Sequence, residues 1–300
     1  MNKIKIKMVS LFSGMGCQER GVENTDCFEL ERVGSCDNDI NAIIAYAAIH
    51  CGLTPELITT YSDYPSRQEM VDTLVAKNIG YDFVKDKAYN WQKYVNSADS
   101  KNYLKTVWLA DKLAKNLGDI TKVNKLPKCQ FMTFSYPCQS LSISGKQEGM
   151  IEGETRSGLV FEVLRILRNM KADNELPNFL LMENVDALVS KKFIKDYEEI
   201  NKLFAEIGYD VRYTVLNGKF CGVPQNRRRV FGLYALRDKV DLSKFEFPLP
   251  FDKGIRLKDV LEDEVDEKYY INNERTRELI KNLVETKPDL MESIFNEKPE

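Results

Sequence analysis

Apolar and polar positions along the chain follow two periods in turn, one typical of strands and one typical of helices. Short apolar runs bounded by polar residues predict buried strands. These runs lie at residues 4–11, 30–35, 130–135, 178–182, 209–216 and 229–236. Between them, apolar residues recur three and four positions apart, which predicts helices. These helices lie at residues 39–51, 159–170 and 193–207, and Asp39 stands at the expected N-cap of the first.

Strands that alternate with helices predict an α/β fold with a doubly wound, mostly parallel sheet. In such sheets, ligands bind beyond the carboxyl ends of the strands, near the point where the strand order reverses. Several polar residues of this chain stand at the ends of predicted strands. We therefore expect the functional site to lie at that edge of the sheet.

Two regions extend beyond this α/β pattern. Residues 52–117 form a long insertion with helical stretches at 68–77 and 103–117, and we expect it to be a helical excursion mounted on the surface. The main domain is predicted to cover residues 1–250. Residues 251–300 are acid-rich, contain a predicted helix at 273–283, and begin a separate region.

Composition narrows the class of protein. The chain has 300 residues, of which 43% are hydrophobic, which is enough for one large domain and a small appendage. Seven cysteines without a CxxC pair, and a single histidine, indicate neither a disulfide framework nor a metal site. No apolar run is long enough to span a bilayer and the N-terminus lacks a signal-peptide core, so a cytoplasmic location is expected.

The formal net charge of −3 gives no overall sign of a nucleic-acid partner. A local basic cleft can coexist with an acidic whole, and the strongest local candidate is the cluster of three arginines at residues 227–229. A strand that begins here would place Arg227 and Arg229 on one face and Arg228 on the other.

The turn after the first strand and two acids further along suggest a nucleoside pocket. The turn contains Phe12, Ser13, Gly14 and Gly16. Asp37 follows the second strand, where a carboxylate can accept hydrogen bonds from ribose hydroxyls. Asp119, which we place at another strand end, could accept from an adenine amino group. The dinucleotide pattern G-x-G-x-x-G fails at Glu19, which disfavours a nucleotide-dependent oxidoreductase.

Two further strand ends carry reactive side chains. Cys138 follows Pro137, whose ring fixes the backbone of the loop. A free thiol with a pKa of about 8.5 is only a few per cent thiolate at neutral pH, so it needs activation to react quickly. Glu183 ends an apolar strand, where a carboxyl group can act as a proton donor.

Taken in order, these segments resemble the DNA cytosine-5 methyltransferases. The matching segments are residues 12–16, Asp37, residues 118–121, the Pro-Cys-Gln run that begins at Pro137, the Glu-Asn-Val run that begins at Glu183, and Gln225-x-Arg227-x-Arg229. The resemblance covers roughly residues 4–236 and implies a Rossmann-like, S-adenosylmethionine-dependent methyltransferase fold with a helical insertion.

The resemblance implies a role for each matching residue. Cys138 would add to C6 of a flipped-out cytosine, and Glu183 would protonate or hydrogen-bond N3. Arg229 would hold O2 beside Cys138, and Arg227 would support the loop and its thiolate. The residues implied in binding S-adenosylmethionine are Phe12, Ser13, Gly14, Gly16, Asp37, Asp119, Ile120 and Pro137. Those implied in contacting DNA or the base are Gln139, Ser142, Ser144, Asn184, Val185 and Gln225.

The resemblance also implies partners. Family members continue into a target-recognition region and a late Gly-Asn segment, so residues 251–300 are expected to be an incomplete start of that region. A fragment, a truncated product or a split enzyme completed by a second polypeptide would each explain this. Double-stranded DNA is the expected substrate, and a cognate restriction endonuclease is a candidate partner. The expected setting is the nucleoid of a bacterial or phage-infected cell.

Two alternatives remain open from the sequence. An RNA cytosine-5 methyltransferase would use the same scaffold, and trapping with DNA or tRNA would separate the two. An inactive truncated or split subunit would bind the cofactor without transferring a methyl group.

Overall fold

The structure is a computed structural model of the chain, and it describes residues 3–82, 85, 87–96, 101–137, 156–270 and 273–286. The strands are β1 (Ile4–Leu11), β2 (Phe28–Cys36), β3 (Phe131–Phe134), β4 (Phe179–Val185), β5 (Tyr209–Asn217) and β6 (Arg228–Leu236). The helices are α1 (Cys17–Glu23), α2 (Ile40–His50), α3 (Pro55–Thr60), α4 (Arg67–Ala76), α5 (Lys93–Asn96), α6 (Tyr103–Leu113), α7 (Val160–Ala172), α8 (Ile194–Ile207) and α9 (Glu274–Thr286). The six strands and the helices whose ranges were predicted from the sequence are found, with boundaries that differ by a few residues, but no strand leads into Asp119.

The strands form one sheet in the order β2-β1-β3-β4-β6-β5. Strands β2, β1, β3 and β4 are parallel, whereas β6 pairs with β4 in the antiparallel direction. The prediction of a doubly wound, mostly parallel sheet is therefore confirmed. The order reverses at β1, between β2 on one side and β3 on the other, so the carboxyl ends of these strands border the switch point.

A large hydrophobic core lies between this sheet and helices α7 and α8. Alternate residues of the central strands, including Met132, Phe134 and Leu180, pack against Val163 and Phe204 of the two helices. All five side chains are fully buried. This packing explains the helical spacing of the apolar residues in α7 and α8.

The segment at 52–117 is helical, as predicted, but it is not an excursion on the surface. Helices α2, α4 and α6 enclose a second hydrophobic core together with the insertion's two tryptophans. Trp91 is 2% exposed and Trp108 8% exposed. Helix α6 packs against α2 and α4 packs against α6, so the apolar faces of this segment are buried in a core that it shares with α2.

The chain divides into two compact units. The first contains residues 1–215 and 229–246, and it holds the sheet and both cores. The second contains residues 216–228 and 247–300, and its described part includes helix α9. The boundary near 246 lies close to the predicted one at 250. Among the described residues, no helix has the length and apolar character needed to cross a membrane.

Candidate active site

The turn after β1 is tightly constrained. Phe12 has a φ of 54°, a left-handed conformation that is uncommon for a bulky residue and is found where surrounding structure enforces it. The Ser13 N–H donates to the Cys36 carbonyl oxygen at 3.2 Å, and the Gly16 N–H donates back to Ser13 at 2.9 Å. Gly16 has a φ of 77°, and a Cβ built on it would lie 2.2 Å from His50 Nε2. Only glycine therefore fits at position 16.

Asp37 directly follows β2 and joins the turn to the next helix. Its Oδ2 accepts the Gly14 N–H at 2.9 Å, and its Oδ1 accepts the Asp39 N–H at 2.9 Å. Burial raises the pKa of Asp37, and these backbone donors offset part of that rise. Each oxygen keeps a second lone pair for a ligand hydroxyl. The structure therefore brings the predicted turn and the predicted acid together.

Asp119 lies nearby, but it does not end a strand as we expected. It caps a short 3₁₀ helix at Ile120–Lys122, with its Oδ1 accepting the Thr121 N–H at 3.0 Å. In place of a full strand, a single parallel β-bridge between Ser35 and Asn116 joins this segment to the end of β2, with the Leu117 N–H donating to the Ser35 oxygen at 2.8 Å. These bonds hold Asp119 beside Asp37 without a further strand.

A cavity of about 160 Å³ lies between these elements. It is lined by Phe12, Cys36, Asp37, Asn38, Gly118, Asp119, Ile120, Pro137 and Leu159. Ser13, Gly14 and Gly16 shape the turn beside it and are not among these lining residues. Sites that enclose a whole drug-sized ligand measure roughly 300–1,000 Å³, so the described walls fit part of such a ligand. Apolar sides and two acids suit an adenosine group.

The segment that leads to Cys138 is anchored from β4. The Asn184 side chain is 3% exposed, and its Nδ2 donates to the Tyr136 oxygen at 3.1 Å. This bond gives Asn184 a supporting role inside the protein, and its predicted contact with the base stays a prediction. Cys138, Gln139, Ser142 and Ser144 lie outside the described residues.

Glu183 and Arg229 form an ion pair across β4 and β6, with Arg229 Nε 3.1 Å from Glu183 Oε1. Glu183 is paired in register with Phe231, and Val185 with Arg229, so the two charged side chains are diagonal neighbours on one face of the sheet. About a fifth of each side chain is exposed, 22% for Glu183 and 23% for Arg229. The pair is therefore open to a ligand from one side.

Gln225 and Arg227 belong to the second unit, before β6 begins. Both are exposed, and they are linked by a backbone bond from the Arg227 N–H to the Gln225 oxygen at 2.9 Å. The Arg227 N–H also approaches Asn217 Oδ1 at 3.1 Å. Their predicted roles at the base stay predictions.

The doubly wound sheet, with two acids and a glycine turn at its switch point, defines a Rossmann-like enzyme that binds a nucleoside-type cofactor. Residues 80–295 match the family described as C-5 cytosine-specific DNA methylase, so the chain belongs to that family. It is therefore a DNA (cytosine-5-)-methyltransferase, and its cofactor is S-adenosylmethionine.

Curated relatives support the same assignment. The chain is 31% identical over 295 residues to the type II methyltransferase M2.ScrFI of Lactococcus lactis subsp. cremoris, covering 97% of this chain and 74% of the relative. It is 34% identical over 275 residues to the orphan methyltransferase M.SssI of Spiroplasma monobiae, covering 90% of this chain and 68% of the relative.

Solved structures support the fold. The chain is similar to the Dnmt2 methyltransferase of S. pombe, with a TM-score of 0.50 and 18% identity over 95% of this chain and 66% of that one. It is also similar to the Entamoeba histolytica methyltransferase EhMeth, with a TM-score of 0.52 and 15% identity over 91% of this chain and 64% of that one. The chain thus spans about two thirds of the length of these structures.

The described residues fit this cofactor. The Asp37 carboxylate is the kind of hydrogen-bond acceptor that ribose hydroxyls need, and Phe12, Ile120 and Leu159 give the cavity apolar walls of the kind that suits adenine. A Cβ built on Gly14 meets no atom within 4 Å, so the turn borders open space at this position.

Proposed function

We propose that the chain transfers a methyl group from S-adenosylmethionine to C5 of a flipped-out cytosine in DNA, through a covalent bond between Cys138 and C6. The observation that carries this proposal is the Asn184 bond to Tyr136, which joins the strand that bears Glu183 to the segment that leads to Cys138. The Glu183–Arg229 ion pair on the same strand supports it.

The chemistry needs three groups from this chain. The Cys138 thiolate adds to C6, so an S–C6 bond forms and the C5–C6 double bond opens toward C5. The Glu183 carboxyl group donates a proton to N3 as the S–C6 bond forms and takes it back when the thiolate leaves, while Arg229 pairs with the resulting carboxylate and orients the base O2. The bound cofactor supplies an electrophilic methyl group on a sulfonium. After C5 is methylated, loss of its proton restores the double bond and releases the thiolate.

Base flipping limits where this chemistry can occur. C5 and C6 of cytosine are stacked inside a duplex, so the base must leave the helix, at a cost of a few kcal/mol. Contacts in the pocket must offset that cost, and we assign Gln139, Ser142, Ser144, Val185 and Gln225 to them, with Arg227 supporting the loop and the Cys138 thiolate. Double-stranded DNA is the substrate under this proposal.

The partners of this activity and its cellular setting are part of the proposal. The similar proteins include both a type II methyltransferase and an orphan methyltransferase, so a cognate restriction endonuclease is one candidate partner. A polypeptide that carries the family's late Gly-Asn segment is another. We place the activity at the nucleoid of a bacterial or phage-infected cell.

Covalent trapping tests the proposal. The chain is mixed with cofactor and duplex DNA containing 5-fluorocytosine, with and without a polypeptide carrying the Gly-Asn segment. Fluorine at C5 cannot leave as a proton, so the adduct persists and appears as a shifted band on a denaturing gel. We expect Cys138→Ser to abolish the adduct and Cys27→Ser, at an exposed cysteine, to retain it.

Three results would contradict the proposal. An adduct that survives Cys138→Ser would exclude this nucleophile. An adduct with 5-fluorocytosine tRNA and none with DNA would favour the RNA-modifying alternative. Cofactor binding without any adduct, in either mixture, would indicate a subunit that binds the cofactor only.

A further inference from the structure

Four buried or half-buried polar residues connect the helical segment at 52–117 to the cofactor pocket, although none belongs to a motif found in the sequence. They are Lys77 and Asn78, which follow α4, and Asp111 and Asn116, at the end of α6 and in the turn after it. Asp111 and Asn116 are each 2% exposed. Buried polar groups are costly unless they are paired, and each of these four side chains has hydrogen-bond partners.

The Asn116 side chain forms hydrogen bonds with both the N–H and the carbonyl oxygen of Asp37. The Asp37 N–H donates to Asn116 Oδ1 at 3.0 Å, and Asn116 Nδ2 donates to the Asp37 oxygen at 3.0 Å. Asn116 Nδ2 also donates to Asp111 Oδ1 at 3.0 Å. The side chain thus continues the pairing of β2 one residue beyond the end of the strand.

Lys77 closes the network on the other side. Its Nζ donates to Asp111 Oδ2 at 2.5 Å and to the Asn116 oxygen at 2.7 Å. Its own carbonyl oxygen accepts the Asp119 N–H at 2.9 Å. Lys77 therefore contacts Asn116, which binds Asp37, and it also contacts the backbone of Asp119.

Asn78 binds the carboxylate of the second acid directly. Its Nδ2 donates to Asp119 Oδ2 at 2.7 Å, while Thr121 donates to Oδ1 through its N–H and its hydroxyl, each at 3.0 Å. The carboxylate is therefore held at both oxygens. Oδ1 accepts both Thr121 bonds, whereas Oδ2 accepts only the Asn78 bond, so Oδ2 keeps a lone pair that can accept from a ligand.

We propose that Asn78 and Asn116 are positioning residues for the cofactor, and that Asn78 orients the Asp119 carboxylate toward the exocyclic amino group of adenine. Under this proposal, the helical segment at 52–117 contributes directly to the geometry of the cofactor site. This inference rests on the assignment of the nucleoside pocket and not on the chemistry of Cys138.

Binding of S-adenosylhomocysteine to the full chain, measured by isothermal titration calorimetry, tests the role of Asn78. Asn78 has a φ of 55°, so Asn78→Gly removes the amide without adding backbone strain. We expect the dissociation constant to rise by about tenfold or more, the effect of losing a hydrogen bond to a charged group. The matched control is Asn174→Gly, an exposed asparagine with a φ of 57° after α7, which should bind as the wild type does.

A ligand change separates positioning from a general loss of structure. S-inosylhomocysteine carries an oxygen where adenine has its amino group, so it cannot donate to Asp119. We expect Asn78→Gly to lower the affinity for S-adenosylhomocysteine and to leave the affinity for S-inosylhomocysteine unchanged. Asn78→Asp keeps the shape and the backbone tolerance but places a second carboxylate beside Asp119, and it should not restore binding.

The outcomes distinguish the two assignments. If the wild type binds neither ligand, the nucleoside pocket itself is wrong. If the wild type prefers the adenosine ligand and Asn78→Gly keeps that preference in full, the positioning role is wrong. Equal weakening of both ligands, with a lowered melting temperature, would show that Asn78 serves stability only. Asn116→Ala is compared at a temperature where its circular dichroism matches the wild type, and unchanged affinity there would overturn its role.

Discussion

The Arg229 guanidinium lies against the Glu183 carboxylate, with 3.1 Å between Nε and Oε1, on two antiparallel strands that are neighbours in the sheet. An arginine in this place can orient the carboxylate through its planar N–H groups. Because the pair faces outward from one side of β4, it can meet a ligand without a change in the backbone. Its position supports the assignment of Glu183 to proton transfer at the base.

Removing the charge of Glu183 should slow methyl transfer without unfolding the protein. Glu183→Gln keeps the size of the side chain but cannot give up a proton at N3, and general acid–base groups contribute about 10²- to 10⁴-fold. We expect a loss in that range in single-turnover transfer of a radioactive methyl group to DNA. Glu199→Gln, at an exposed glutamate paired with Lys202, is the control and should keep full activity. Equal rates for Glu183→Gln and the wild type would exclude the proposed role.

Gly16 should tolerate no side chain. A Cβ there would lie 2.2 Å from His50 Nε2 and 3.0 Å from Tyr46 Cε2, so Gly16→Ala must displace the turn or the ring. We expect Gly16→Ala to weaken S-adenosylhomocysteine binding by about tenfold or more, because the turn that it would displace carries Phe12, which lines the cavity.

Gly52 provides the matched comparison, since it also has a positive φ, 72°, but has no atom within 4 Å of a built Cβ. Gly52→Ala should therefore show only the cost of backbone strain in a denaturation curve and should keep cofactor affinity. If the two variants bind the cofactor equally well, the contact with His50 does not shape the turn.

The buried carboxyl of Asp111 should make stability depend on pH. Burial raises its pKa, and the Lys77 charge and hydrogen bonds from Lys77 and Asn116 offset only part of the rise. Its contribution to stability is therefore fully present below the unfolded pKa of about 3.9 and is lost as the pH rises through the raised pKa of the folded state. Relative to Asp111→Asn, which does not titrate, the wild type should lose stability across that interval.

Urea denaturation at a series of pH values would measure this difference. Asp173→Asn is the control, because the Asp173 side chain is 55% exposed and pairs with Lys125 at the surface. Its curve should run parallel to that of the wild type. If the difference in the free energy of unfolding between the wild type and Asp111→Asn stays constant with pH, the prediction is contradicted.

Local signals in the sequence were sufficient to predict the strands and helices and part of the cofactor pocket. Asp39 caps α2 by accepting the Ala42 N–H at 2.9 Å, as an N-cap must, and this contact lies within four residues. Asp37 and the turn that contains Gly14 could be placed at neighbouring strand ends because parallel strands end at the same edge. Their bond of 2.9 Å follows from that arrangement.

Contacts between distant segments could not be predicted in the same way. Asn116 and Asn78 are ordinary polar residues in the sequence, and their importance depends on the packing of α4 and α6 beside β2. The same packing buries Trp91, which composition alone suggested to be part of a surface excursion. Periodicity predicts which face of a helix is buried, but it does not name the partner of that face.

Strand β6 follows β5 in the chain but lies between β4 and β5 in the sheet. A ribosome releases residues in order, at about 5–20 per second, so Glu183 emerges before Arg229. A nascent chain that has not reached residue 229 therefore holds the carboxylate without its cation, and that edge of β4 without its β6 neighbour. Pairing of β6 with β4 supplies both the neighbouring strand and the arginine, so a polypeptide that ends before residue 229 lacks the ion pair altogether.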